Sequence, residues 1–243
     1  IGTLLFQGQG IGRFALEICE DGWKGIRPGS IYALAGAEIL LNPSASWFVI
    51  GKHRVRRAMV EQLSREDHCA YLYTSLLGCD STRLIFDGSV FLGLDGEIAC
   101  EGKRLLFDAD HELVDRVIDL DQLRLQRMEE GSWREQVQSF TQGQYGPAPG
   151  LVELKGDYSC VGTPPPAGPY WEHKPPRHLD PSLAWLEKSG LVPQITAADL
   201  PHLELELALC MGMRDYIAKS GIRSLALALS GGKDSAMVAV LVH

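Results

Sequence analysis

The strings CAYLYTS, residues 69–75, and SVFLGLDGEIAC, residues 89–100, decide the fold class. Cys69 to Ser75 is rich in aromatic residues and suits a buried strand, and Ser89 to Leu94 is a second short apolar run of the same kind. Asp95-Gly96 supplies the hairpin turn into Glu97 to Cys100. Upstream, His53 to Glu66 places Val55, Met59 and Leu63 at four-residue steps, which predicts a helix with that face inward and Arg54, Arg57, Glu61 and Arg65 on the other. Gly12 to Ile18 and Glu38 to Leu41 read as further strands. Leu113 to Leu120 reads as another, leading into a charged helical stretch that ends near Trp133. Strands alternating with helices over residues 1–140 indicate an α/β domain.

Composition changes beyond that point. Residues 143–181 hold nine of the thirteen prolines, including Pro164-Pro165-Pro166 and Pro175-Pro176. Proline removes backbone donors and disfavours helix in the residue before it, so this stretch reads as a connector. Its aromatic residues, Tyr158, Tyr170 and Trp171, fit a connector that lies along a surface. Asp180-Pro181 is an N-cap and N1 pair for a short helix ending at Gly190. A second helix runs from about Leu203 to Lys219, with Leu203, Leu207, Cys210 and Met211 on one side and Gly221 as its stop. Ser224 to Leu229 reads as a buried strand broken by Ser230-Gly231-Gly232, and a helix begins again near Ala236. There is no internal repeat.

The 243 residues are 45% hydrophobic and 22% charged, enough for one large globular domain or two small ones. The net charge of −8 (23 Lys+Arg, 31 Asp+Glu) argues against a nucleic-acid partner that needs a broad basic face. Apolar runs such as Ala236 to Val242 fall far short of the ~20 residues a membrane-spanning helix needs. Six scattered cysteines could form three disulfides in a secreted protein, but without a CxxC pair or a signal peptide they predict reduced thiols and a cytoplasmic protein. Seven histidines without HxxxH or HExxH spacing give no zinc signal.

The segment LALSGGKDSAMVAV, residues 227–240, is a strand, a glycine turn and a helix start. Glycines there let the backbone approach a ligand, and free N–H groups of a helix's first turn attract an anion. A Walker A loop does not fit, because Leu227 stands where its first glycine would be and Asp234 follows Lys233 in place of Ser or Thr. The string SGGxDS resembles the pyrophosphate loop of the ATP pyrophosphatase superfamily, whose members cleave ATP between the α and β phosphates. That resemblance implies ATP and Mg2+. Ser230, Gly231, Gly232 and Ser235 would bind the departing pyrophosphate, Asp234 would order the loop or its metal, and Lys233 lies in the same ATP-binding loop. The plain alternative is a Gly-Gly turn between strand and helix.

Cys19 lies in EICEDGW, residues 17–23, at a strand end where a sulfur can be reached by substrate. Glu17, Glu20 and Asp21 all oppose a thiolate, so a nucleophile here must draw its activation from elsewhere in the fold. Read alone, Cys19 fits a buried structural thiol better than a nucleophile. EICEDGW, followed by Leu41-Asn42-Pro43-Ser44-Ala45-Ser46 and Gly51-Lys52, resembles the glutaminase domain of glutamine-dependent NAD synthetases, a branch of the nitrilase (carbon–nitrogen hydrolase) superfamily. Gly78-Cys79-Asp80-Ser81-Thr82 and Phe86-Asp87-Gly88 fall where that family has comparable strings. The similarity runs from Ile1 to about Phe140.

The resemblance implies that Cys19 attacks the glutamine side-chain amide and that the Glu20 N–H contributes to an oxyanion hole. Ser46 and Lys52 fall at glutamine-binding positions, the latter often Arg in the family. The implied fold is the C-terminal part of a nitrilase-like α-β-β-α sandwich over 1–140, a Pro-rich linker over 141–200, and over 201–243 the start of a doubly wound, parallel-sheet ATP pyrophosphatase domain. The implied substrates are glutamine, deamido-NAD and ATP. The family's triad glutamate and lysine lie upstream of the EICED string, so the chain reads as truncated at both ends and inactive by itself. Homo-oligomerisation through the sandwich follows by analogy only. The competing readings are a stand-alone nitrilase-fold amidase and a catalytically silent interaction module. The first is opposed by the loop at Ser230 to Ser235, and the second is favoured only for the piece lacking its triad partners.

Overall fold

The computed structural model describes residues 3–80, 83–158 and 196–242. Its centre is a seven-stranded mixed sheet. In chain order the strands are β1 (Leu4–Gln9), β2 (Gly12–Leu16), β3 (Ile39–Ser44), β4 (Ala70–Ser75), β5 (Leu77–Cys79), β6 (Ile85–Asp87), β7 (Val90–Leu94), β8 (Glu97–Glu101) and β9 (Gly150–Asp157). β5 and β6 form a separate antiparallel pair, and the rest line up as β8-β7-β4-β3-β2-β1-β9. The β2–β3 and β3–β4 pairs are parallel, as is β1–β9, while β7 runs antiparallel to both β4 and β8.

The alternation of side chains along β4 decides what each face holds. Tyr71 and Tyr73 point to one face, where Leu40, Phe91 and Ile98 meet Tyr32 of α1 (Pro28–Leu34) and Val60 and Leu63 of α2 (Lys52–Glu66). Ala70 and Leu72 point to the other, packed with Leu92 and Leu94 against Leu120 and Leu123 of α3 (Leu120–Glu129). α4 (Gly131–Thr141) places Trp133 and Phe140 on Ala33 and Leu34 of α1. Asp95 and Gly96 both have positive φ, 49° and 81°, the backbone a two-residue hairpin of this hand requires.

Several expectations change. The inward arc of α2 is His53, Arg56, Arg57, Val60, Leu63 and Ser64, whereas Val55 is 51% exposed. The helix is rotated from the apolar-stripe reading because the sheet offers carboxylates to its arginines. Leu113 to Leu120 forms no strand: it crosses the sheet face without a ladder partner, and α3 begins at its end. The charged stretch is two helices, parted at Glu130. Residues 150–157, inside the expected connector, form β9 on the sheet edge against β1. Ser224 to Leu229 is exposed and unpaired, since no strand among the described residues lies beside it. The helix expected from Asp180 to Gly190, Tyr170, Trp171 and the two proline clusters lie outside the described residues.

Beyond the sheet, α5 (Leu200–Ser220) ends at Gly221, whose φ of 66° is the left-handed cap expected there. It packs Ala208 and Met211 against Leu105, Leu77 and Ile85, and so lies on the β5–β6 pair. α6 (Lys233–Val242) follows. Among the described residues no helix is long and apolar enough to cross a membrane. The described cysteines, Cys19, Cys69, Cys79, Cys100 and Cys210, are free thiols.

Candidate active site

Cys19 opens a 3-10 turn, Cys19–Trp23, just past the end of β2 and has φ of 49°, a conformation side-chain-bearing residues seldom adopt. The turn is closed locally: the Ile18 N–H donates to the Asp21 carboxylate at 3.1 Å, and the Asp21 N–H to the Ile18 carbonyl at 3.0 Å. Glu20 is the second residue of the turn, in a helix's first turn where amides lack partners within the helix. Asn42 on β3 donates to the Cys19 carbonyl at 3.4 Å and lies 3.0 Å from the Tyr71 hydroxyl, while its own Oδ1 accepts from Ser44 Oγ at 2.6 Å.

Two of the three carboxylates flanking Cys19 are accounted for. Glu17 is fully buried and accepts from Arg27 at 3.1 Å, from the Gly29 N–H at 2.9 Å and from the Tyr71 hydroxyl. Arg27 also pairs with Asp67. Burial, then the Glu17 charge, push the Tyr71 hydroxyl far above its ordinary range, so it stays a donor. Asp21 is tied to Lys24 at 2.7 Å, a bond that with the Ile18 N–H holds its carboxyl below the usual value. The electrostatic objection to Cys19 read from the sequence is therefore weaker in the fold.

Ser46 and Lys52 sit at the two ends of the loop between β3 and α2. Ser46 is buried; its carbonyl accepts from Arg56 at 2.7 Å and its Oγ lies 3.2 Å from the same guanidinium nitrogen. Lys52 Nζ donates to the Trp47 carbonyl at 3.3 Å and lies 4.5 Å from the centre of the Trp47 ring. Burial, then the neighbouring Arg56 charge, hold its ammonium below the ordinary value, while Asp87 and Cys19 act in the opposite sense.

Beneath the loop lies a buried ionic cluster that no local pattern announced. Asp87 accepts from Arg56 at 2.7 and 2.8 Å and from Arg104 at 3.2 Å. Burial alone would raise its carboxyl, but the two guanidinium groups outweigh that and hold it below the usual range. Arg104 pairs in turn with Glu204 of α5. Phe86-Asp87-Gly88 was legible as a motif, but Arg56 was hidden by the apolar-stripe reading of α2. Arg104 and Glu204 are brought together across 100 residues.

The remaining predicted residues form a second, separate feature. Gly231 has φ of 80°, Ser235 Oγ donates to the Gly232 carbonyl at 3.0 Å, and Ser230 Oγ lies 3.3 Å from Ser235 Oγ. Lys233 and Asp234 are exposed in the first turn of α6. The turn and the exposed start of α6 present backbone N–H groups of the kind that receive an anion. A metal is less well provided for: among the described residues no three His, Cys, Asp or Glu side chains gather to hold one. Among those residues no hydrogen bond or ion pair joins this loop to the Cys19 turn; the connection runs through α5, whose Cys210 Sγ donates to the Leu241 carbonyl of α6.

No protein-family model matches the chain. Curated relatives do. A glutamine-dependent NAD(+) synthetase of Drosophila melanogaster is 27% identical over 231 residues, 93% of this chain and 25% of that protein. One from Thermotoga maritima is 28% identical over 233 residues, 94% of this chain and 34% of that protein. Among solved structures, a glutamine-dependent NAD(+) synthetase from Cytophaga hutchinsonii aligns with a TM-score of 0.57 at 22% identity, covering 98% of this chain and 26% of that one, and so shares its fold. The chain spans about a quarter to a third of the length of these curated relatives. Over more than nine-tenths of its own residues, this chain is similar to the glutamine-dependent NAD(+) synthetases.

Proposed function

We propose that this chain is part of a glutamine-dependent NAD synthetase, carrying the nucleophile and glutamine-binding segment of the glutaminase and the first elements of the synthetase. The observation that carries the reading is the presence, in one chain similar over 93% of its length to such enzymes, of both a strained, partly exposed Cys19 turn and the Ser230–Ser235 loop at the α6 N-terminus. In this reading residues 1–140 are the C-terminal part of a nitrilase-like sandwich and residues 201–243 open a doubly wound ATP pyrophosphatase domain.

Cys19 Sγ attacks the glutamine carboxamide carbon. The Glu20 N–H stabilises the developing oxyanion, the thiol proton passes to the amide nitrogen, the C–N bond breaks, and ammonia leaves a thioester. Water then forms the C–O bond, the C–S bond breaks, and glutamate departs. Ser46 and Lys52 hold the amino-acid end of glutamine. Neither Glu17 nor Lys24 serves as base or cation, because Glu17 is buried under Arg27, Tyr71 and Gly29 and Lys24 is bound to Asp21. At the second site, the carboxylate of deamido-NAD attacks the α-phosphorus of ATP, and pyrophosphate leaves into the turn of Ser230, Gly231, Gly232 and Ser235. Lys233 and Asp234 stand beside it. Ammonia displaces AMP from the adenylate to give NAD. Mg2+ would neutralise the departing pyrophosphate when bound, with Asp234 the nearest candidate ligand. The scattered cysteines, without a CxxC pair, are the basis for a cytoplasmic setting.

The test is Cys19→Ala in the full-length protein. Glutamine-supported NAD formation is lost and ammonia-supported formation remains, because free ammonia bypasses the thioester but still needs the adenylate. Loss of both, or no NAD formation from ammonia in the unsubstituted protein, overturns the reading.

A further inference from the structure

The helix that leads toward the Ser230–Ser235 loop sends one carboxylate into the loop that ends at Lys52. Glu204, in the second turn of α5, is 2% exposed. Its Oε2 accepts the Gly51 N–H at 2.8 Å, across 153 residues of sequence, and its Oε1 pairs with Arg104. Gly51 is the N-cap of α2, with φ of 75°, and no side chain of its own caps the helix. In a capping box a glutamate from within the helix accepts the N-cap N–H. Here that acceptor comes from a different helix, and its negative charge suits the α2 N-terminus.

The other end of the same loop is held through the same cluster. Arg104 donates to Asp87, Asp87 accepts both bonds of Arg56, and Arg56 grips the Ser46 and Trp47 carbonyls at 2.7 and 3.1 Å. Glu204, Arg104, Asp87, Arg56 and Ser46 are all buried, so the bonds among these five are shielded from water, while those to Gly51 and Trp47 are half-buried. A second anchor of α5 is independent of this cluster: Asp215 accepts the Cys79 N–H on β5 at 3.0 Å.

We infer that Glu204 is a positioning residue that sets the geometry of the segment Ser46–Lys52 from the helix leading to the ATP loop. The inference rests on the glutaminase reading above, in which that segment binds glutamine. A carboxylate at 204 accepts from Gly51 and Arg104 together, which a carboxamide of the same size does not do, since one of its two arms is a donor.

The experiment compares Glu204→Gln, Arg104→Lys and Asp215→Asn in the full-length protein, with glutamine and ammonia as alternative nitrogen sources. Glu204→Gln raises KM for glutamine about tenfold while the ammonia-supported rate stays within about twofold of the unsubstituted protein. Arg104→Lys keeps the charge balance but loses the two-ended fork, and raises KM likewise. Asp215→Asn, which loosens the same helix elsewhere, leaves KM for glutamine unchanged. An unchanged KM in Glu204→Gln, or an equal rise in Asp215→Asn, overturns the inference and assigns Glu204 to docking alone. Absence of ammonia-supported NAD formation in the unsubstituted protein overturns the functional reading instead. Should Glu204→Gln fail to accumulate, Arg104→Lys decides by the same KM criterion.

Discussion

Arg56 is the side chain from which the Ser46–Lys52 loop hangs. It is 0% exposed and bonded to both Asp87 oxygens, to Ser89 and to the Ser46 and Trp47 carbonyls. Removing one partner of a buried pair leaves the other charge uncompensated. Arg56→Met is therefore expected to destabilise the fold by about 3–5 kcal/mol, read from urea unfolding. A loss under about 1 kcal/mol would mean that Asp87 is hydrated and the cluster is not what holds the loop. Cys19 was legible from EICED, but its positive φ and the tie from Asn42 were not, because both depend on β3 lying beside the turn.

At the level of elements, α2 and β7 meet where Gly93 faces Val60. A Cβ at Gly93 would stand 2.8 Å from the Val60 carbonyl and 2.7 Å from its Cγ1. Gly93→Ala must push α2 off the sheet, and since α2 carries Lys52 and Arg56, the loop moves with it. We expect a loss of about 1–3 kcal/mol in thermal unfolding, together with a raised KM for glutamine. Stability unchanged within about 0.5 kcal/mol would show that the helix has slack there. The strands β4, β7 and β8 were legible because alternation, aromatic content and a Asp-Gly turn agreed. Leu113 to Leu120 and Ser224 to Leu229 carry comparable apolar content yet form no strand among the described residues. A strand exists only where a neighbour accepts its hydrogen bonds. β9 was missed for the converse reason: its place is given by β1, some 145 residues earlier, and not by its own residues.

His53, His68 and Asp87 each give the stability of the fold a dependence on pH. Burial, then the Arg104 charge, hold the His53 imidazole below its ordinary value, with Glu101 and Asp87 acting the other way. Burial and Arg127 do the same to His68. The unfolded chain takes up these protons near pH ~6.5 while the folded chain resists. The unfolded state then binds more protons, so stability falls as pH drops below about 6.5. Asp87 adds a loss of the same sign at lower pH: its contribution is complete above the unfolded value of ~3.9 and vanishes as pH falls through its lower folded value. Urea midpoints should decline from about pH 7 to 5, and His53→Asn should flatten that decline. A profile unchanged by His53→Asn would place the titration elsewhere.

By itself the sequence determined the local chemistry: strand and helix runs with strong periodicity, the Asp95-Gly96 turn, the Gly221 stop, and the two motif strings around Cys19 and Ser230. These depend on interactions within a few residues, which a linear pattern records. Only the tertiary structure decided which face of α2 is inward, that β9 closes the sheet edge, and that Glu204 caps a helix 150 residues before it. Each of these turns on a partner distant in the chain. Whether a buried charge is tolerated depends on the counter-charge folding brings to it, and that is a property of the assembled fold.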